Sequence, residues 1–393
     1  MLLLLQLSAL PPDDPRAVIR HARLAIEGDS MEAVDARWSA RLARDPQDRA
    51  ALLGLGTLAR FRYDDSAAGA LYGRLLPAPG AAPDRYAVYA MLALGRIRYD
   101  AIQVAAAESI LFRARDAARA LGDSSAQGDA MVMLGNVWLE SRGSEVTLAY
   151  VDSGLALFPA RETEFTAGGK CRRAGIMFSL GSEGFERELA SALEYARRQQ
   201  VPRSEAACLR TGAHDQRVKG NEDSALALLG GALDVMRRTR DRRQLAYTLT
   251  VRADILRDIG AYGEAKRALE ESLAEAQASG YTMVESLVLH LMGTLYFSLR
   301  DIPTASTYLD RALVAFREND DTTGVHMVRS WQADIALANG DLAEARRLTE
   351  ESIAFYERVE NVPYTIELYQ ALGHVAVLER DWGAAARALD RSE

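Results

Sequence analysis

The sequence predicts an all-α solenoid, a stack of about nine or ten antiparallel helix hairpins, and three observations carry that prediction. A small residue recurs every 40 residues at Ala225, Ala265, Ala305, Ala345 and Ala385. Twelve residues before each lies a second small residue: Ala213, Ala253, Gly293, Ala333 and Gly373. Ahead of each alanine stands a turn-and-cap signal: Asn221-Glu222-Asp223, Gly260-Ala261, Asp301-Ile302-Pro303, Gly340-Asp341 and Asp381-Trp382. Glycine supplies positive φ at a helix end, and Asp or Asn caps the next helix start. Each unit is therefore a helix, a short turn, a second helix and a linker, with both helices thinned where they touch. Such a hairpin cannot bury its apolar stripe alone, so neighbours must stack into a continuous core.

Within each second helix, apolar or small side chains follow the alanine at helical spacing: Leu229/Leu233, Leu269/Leu273, Leu309/Leu313, Thr349/Ile353 and Leu389/Ser392. Toward the N-terminus the series loosens. Leu55-Gly56 leads to Ala68, Tyr72 and Leu75; Leu94-Gly95 leads to Ala107; Leu134-Gly135, with Trp138, leads to Thr147. Arg16–Glu27 and Ser30–Arg44 form a first hairpin, stopped at Pro46. The expected organisation is an apolar segment at 1–15, hairpins at 16–160, an irregular repeat at 161–200 with its turn at Gly181–Gly184, and a regular array at 201–393. No run of alternating β-branched residues reads as a strand. The opening "MLLLLQLSALPPDDP" is too short to span a bilayer. It reads equally as the remnant of an export signal without its basic region or as a first packing helix, so the compartment, cytoplasmic or exported, stays open.

Composition narrows the function classes. With 393 residues, 49% of them hydrophobic, the chain has ample material for burial, and a single core rarely grows past roughly 300 residues. A net charge of −8 argues against general nucleic-acid binding. Lys170, Lys219 and Lys266 are the only lysines, so the basic character is carried by arginine. Two cysteines, Cys171 and Cys208, form no disulfide framework and no metal-ligand set, and are expected to be small apolar residues in helices.

The spacing of small and large residues in "ALLGLGTLARFRYDDSAAGALYGRLLP", residues 51–77, together with the register held from 213 to 385, resembles the tetratricopeptide repeat. The 40-residue form resembles repeats in kinesin light chains, bacterial maltose-type transcriptional regulators and bacterial proteins carrying a caspase-like CHAT domain. The resemblance covers almost the whole chain. It implies a right-handed superhelix whose first helices line a concave groove.

The chemistry of an enzyme is not found, and no cofactor or metal is expected. "GLGTLA" imitates a dinucleotide fingerprint, but its glycines fall inside a helix at packing positions. "GGKC", Gly168–Cys171, lacks the rest of a phosphate loop and reads as a loop or helix start. The five histidines include no i, i+4 pair, and Cys208 and His214 fall on different helix faces. Glu270-Glu271 and Glu350-Glu351 are expected on solvated second-helix surface. "RRTRDRRQ", Arg237–Gln244, is the densest charge cluster; it reads as a solvated linker or as a docking patch for an acidic partner.

Counting from the small residue of each first helix yields the groove-facing positions that the resemblance implies. Up to residue 217 these are Arg60, Tyr89, Arg96, Tyr99, Asn136, Arg210, His214 and Arg217. Further along they are Tyr247, Asp254, Arg257, His290, Asp334 and His374. Arginine grips carboxylates through paired hydrogen bonds, and tyrosine offers flat contact area at low entropy cost. The expected function is a non-catalytic scaffold that holds an extended peptide or partner protein, acidic or ending in a free carboxylate. The alternative is the sensor half of a larger effector, a CHAT-type protease or transcriptional regulator. The last apolar stripe, Ala385, Ala388 and Leu389, is expected to be covered either by a homodimer through the C-terminal repeat or by a natural chain that continues past it.

Overall fold

The computed structural model describes residues 14–27, 30–78, 80–101, 103–138, 144–159, 163–359 and 362–392. Almost all of the apolar N-terminal segment therefore lies outside the described residues. Among these residues the fold is all α, with twenty helices and no strand. The first ten are α1 (Pro15–Glu27), α2 (Met31–Arg44), α3 (Arg49–Phe61), α4 (Asp65–Gly73), α5 (Arg85–Asp100), α6 (Val104–Ala120), α7 (Ser124–Trp138), α8 (Ser144–Leu155), α9 (Thr163–Ser179) and α10 (Phe185–Arg198). The rest are α11 (Pro202–Val218), α12 (Glu222–Thr239), α13 (Arg242–Asp258), α14 (Tyr262–Ala278), α15 (Thr282–Ser298), α16 (Ile302–Glu318), α17 (Thr322–Ala338), α18 (Leu342–Arg358), α19 (Val362–Leu378) and α20 (Trp382–Asp390). Helices pair into hairpins in chain order, the architecture of a helical repeat solenoid. From α11 onward, first helices and second helices each begin at 40-residue intervals.

Punctuation of the later array follows from local chemistry. Among the described residues a left-handed residue ends a helix at 20-residue steps from 200 to 340, at Gln200, Gly220, Arg240, Gly260, Gly280, Arg300, Asp320 and Gly340, and again at Arg380. At 301, 321, 341 and 381 the next residue is an aspartate whose carboxylate accepts the N–H three residues on, at 2.8–3.2 Å. That pairing closes one helix and opens the next with a single intervening step.

Contacts divide the chain into two compact units, Met1–Gln244 and Leu245–Glu393. In the first, the odd-numbered helices α1, α3, α5, α7, α9 and α11 pack side by side in sequence as well as on their hairpin partners. They form the inner, closely spaced layer, with the even-numbered helices outside it. In the second, α15 packs on α17 in the same way. The repeat-defining residues sit in the core: Ala225, Ala265, Ala305 and Ala345 are at most 1% exposed, and Ala385 is 5%. A Cβ on Gly293 would lie 2.6 Å from Leu309 Cγ, so the bare backbone is what lets α15 and α16 meet.

Two expectations are corrected here. Gly168–Cys171 lies within α9, not in a loop or at a helix start. A Cβ on Gly169 would stand 2.5 Å from Leu155 Cδ2, so the glycine serves close packing of α9 on α8. The cysteines are buried in helices as expected, but they are joined by a disulfide, S–S 2.01 Å, between α9 and α11. Their separation of 37 residues is about one repeat, which places them on neighbouring first helices that pack side by side.

Candidate functional site

The predicted groove positions of the first unit lie on its first helices α3, α5, α7 and α11, and they differ in how fully their polar atoms are engaged. Arg60, at the end of α3, is held by Asp65 at 2.5 Å and by a close contact to Asp100 at the end of α5. Burial opposes its charge, but Asp100 and then Asp65 outweigh burial and raise its pKa. Arg210 donates to Gln244 Oε1 at 2.9 Å. His214 is exposed and meets the Phe178 ring edge-on, centroids 5.0 Å apart. Arg217 is half-buried beside it on α11, and Tyr99 is exposed at the end of α5. Tyr89 is only 2% exposed, its ring part of the core, and its hydroxyl is buried without a hydrogen-bond partner. Burial, reinforced by Asp123, pushes that phenol well above its ordinary pKa.

Arg96 and Asn136 differ from the rest. They occupy matching positions on adjacent first helices, each directly after the packing glycine, Gly95 or Gly135. Both are half-buried. Among the described residues, neither has a hydrogen bond or ion pair, and the Asn136 Oδ1 is fully enclosed. Burial, then Arg203 of α11, press the Arg96 guanidinium toward a lower pKa, while Asp129 and Asp100 partly compensate. Asp100, one turn beyond Arg96, is taken by Arg60. A charged fork and a primary amide thus hold matching positions on adjacent helices, with hydrogen-bonding capacity unmet among the described residues.

In the second unit the predicted positions are more self-contained. Arg257 reaches Asp254 at 2.8 Å, Asp258 at 2.7 Å and Thr294 Oγ1 at 2.7 Å. His290 is 4% exposed and packs edge-on near Trp331; burial, aided by Arg257, holds its pKa down to about 3. Burial raises the Asp334 carboxyl to about 6, slightly opposed by His374, which is itself exposed. Tyr247 is half-buried on α13.

Sequence reasoning missed a set of residues around Arg60. Arg243, within the basic run 237–244, is 4% exposed and donates to Asp65 Oδ2 at 2.7 Å. That run is therefore neither a solvated linker throughout nor wholly free for a partner. Its composition was visible, but its internal acidic counterpart, some 180 residues earlier, was not. Two surface depressions of about 580 and 310 Å³ contain none of the predicted groove positions; the larger is lined by Arg197, Glu205, Leu209 and Asp234 together with Arg237 and Arg238 of the basic run. Among the described residues no His/Cys/Asp/Glu group is placed to hold a metal, and no helix is long and apolar enough to cross a membrane.

Fold and inner face together define a helical repeat solenoid resembling tetratricopeptide repeat proteins. No protein-family model matches the chain, and no curated protein matches it. Among solved structures, the fold is similar to a Signal Transduction ATPase with Numerous Domains from Pyrococcus horikoshii, a protein with a tetratricopeptide repeat sensor. The TM-score is 0.57 at 16% identity, covering 88% of this chain and 52% of that one, so the chain spans about half the length of that protein. It is also similar to a Rap protein complexed with competence and sporulation factor, TM-score 0.60 at 14% identity, covering 100% of this chain and 99% of that one. At these identities the likeness is one of fold.

Proposed function

We propose that the protein is a non-catalytic interaction module whose first unit holds an extended segment of a partner protein along its inner face. The observation that supports this most directly is the unpartnered pair Arg96 and Asn136 on adjacent first helices. An arginine fork takes a carboxylate through two parallel hydrogen bonds, and an Asn amide both donates to and accepts from a peptide main chain. The general acidic preference expected from five groove arginines narrows to Arg96, because Arg60 and Arg257 are neutralised by this chain's own carboxylates, Arg210 donates to Gln244, and Arg217 is engaged within the chain. A reading as the sensor half of a larger effector stands second, favoured by the similarity to the sensor-bearing ATPase, of which this chain covers about half.

The test is selection of binders from a random dodecapeptide display library on the full chain. Selected peptides are expected to lose at least ~10-fold in affinity, about 1.4 kcal/mol, against Arg96→Gln with Asn136→Ala, at unchanged helicity. Equal binding to the variant overturns the reading.

A further inference from the structure

A contact inside the first unit joins turns that repeat stacking would leave apart. Each repeat of a solenoid touches only its neighbours, yet the turn between α3 and α4 meets the turn between α12 and α13. The Tyr63 hydroxyl accepts the Arg242 backbone N–H at 2.7 Å and donates to the Arg240 carbonyl at 3.2 Å. The Arg243 guanidinium lies over the Tyr63 ring, 5.3 Å from its centroid. It donates to Asp65 at 2.7 Å and stands 3.9 Å from Asp100. Asp65 and Asp100 are also the carboxylates that hold Arg60. Tyr63 and Arg240 each have positive φ, 64° and 55°, so both turns adopt the tight left-handed form that brings the hydroxyl and the carbonyl together.

We propose that this contact is a clasp that closes the groove of the first unit, and that an acidic partner segment opens it by displacing Asp65 and Asp100 from Arg243 and Arg60. The inference rests on the reading of that groove as a partner-binding surface and adds its regulation. Asp65 and Asp100 present to the two arginines the same group an acidic segment would bring. At Arg60 and Arg243 the chain is thus its own competitor: there an incoming carboxylate must displace Asp65 and Asp100, whereas at Arg96 it meets capacity already unmet. Because the exchange is between ions, raised salt loosens the clasp and weakens the incoming segment together.

Spin labels on Ser66→Cys and Arg238→Cys, both exposed and flanking the clasp, report its state by pulsed electron paramagnetic resonance. Both native cysteines are tied in the disulfide, so only the introduced thiols take the label. The full chain is expected to give a single short distance. Asp65→Asn with Arg243→Gln should shift it to a longer, broader distribution, and so should hexaglutamate added to the unmodified pair. Tyr63→Phe, which removes only the hydroxyl bonds, should give a partial shift and guards against a folding defect in the double variant. An unchanged distance in both variants overturns the clasp. Hexaglutamate that binds by fluorescence anisotropy but leaves the distance unmoved, or fails to bind, overturns the exchange. Neither result touches the groove reading, which fails if selected peptides ignore Arg96 and Asn136.

Discussion

Breaking the Cys171–Cys208 bond isolates one energetic term. The disulfide joins α9 to α11 and closes a loop of 37 residues that contains the second half of α9 and all of α10. Both sulfurs are buried, at 3% and 1% residue exposure, among Leu189, Ala192, Leu193 and Ala207. Reduction in place leaves the same side chains in the same core, so the native contacts change little and the effect falls on the unfolded chain. Closing a 37-residue loop removes about 13 cal/mol/K of unfolded-state entropy, about 4 kcal/mol at room temperature. The assay is guanidinium unfolding followed by circular dichroism, comparing oxidised protein with protein unfolded and refolded under a phosphine reductant. Oxidised protein is expected to unfold at higher denaturant, with the difference largest for probes in α9–α11. Coincident curves would refute the reasoning, because they would mean that the loop is equally constrained without the bond.

Other substitutions separate competing effects. Gly293→Ala gains about 1 kcal/mol of helix propensity, but its Cβ meets Leu309 Cγ at 2.6 Å and the Ala305 carbonyl at 3.3 Å. Overpacking of about 1–3 kcal/mol therefore wins; Gly230→Ala, with nothing within 4 Å, should stabilise instead, and thermal melts that rank the two alike contradict the packing account. Asp334 gives a pH signature. Its folded pKa of about 6 lies above the ordinary 3.8, so between those values the unfolded chain releases its proton first and stability falls as pH rises. Asp334→Asn should match the native protein near pH 4 and exceed it by about 1–3 kcal/mol above pH 6; parallel denaturation midpoints across that range contradict it.

The repeat was legible because stacking forces the same small residue to the same place in every unit, as Ala225, Ala265 and Ala305 show. Helix ends were legible where glycine marks them and less so at Arg240, Arg300 and Arg380, where a non-glycine residue takes the left-handed form. The disulfide was hidden because the register of small residues is irregular around 160–185, which obscured that Cys171 and Cys208 lie about one repeat apart on neighbouring first helices. The clasp was hidden for a deeper reason. Whether residue 63 meets residue 242 depends on the sum of small rotations over several repeats, a quantity that no local pattern encodes. Among the expected groove positions, the sequence put Arg60 and Arg96 in one class and did not show the difference between them. That difference is set by Asp65 and Asp100, which engage one arginine and leave the other open.

The central claim is that the inner face of the first unit holds the partner. It is tested most directly by a photo-crosslinking residue placed at Asn136, against the same residue at Glu350 on exposed surface of α18, with crosslinked peptides identified by mass spectrometry after incubation with a selected binding peptide. The account predicts adducts from Asn136 that Arg96→Gln suppresses, and none from Glu350. Adducts from Glu350, or Asn136 adducts indifferent to Arg96, would contradict it.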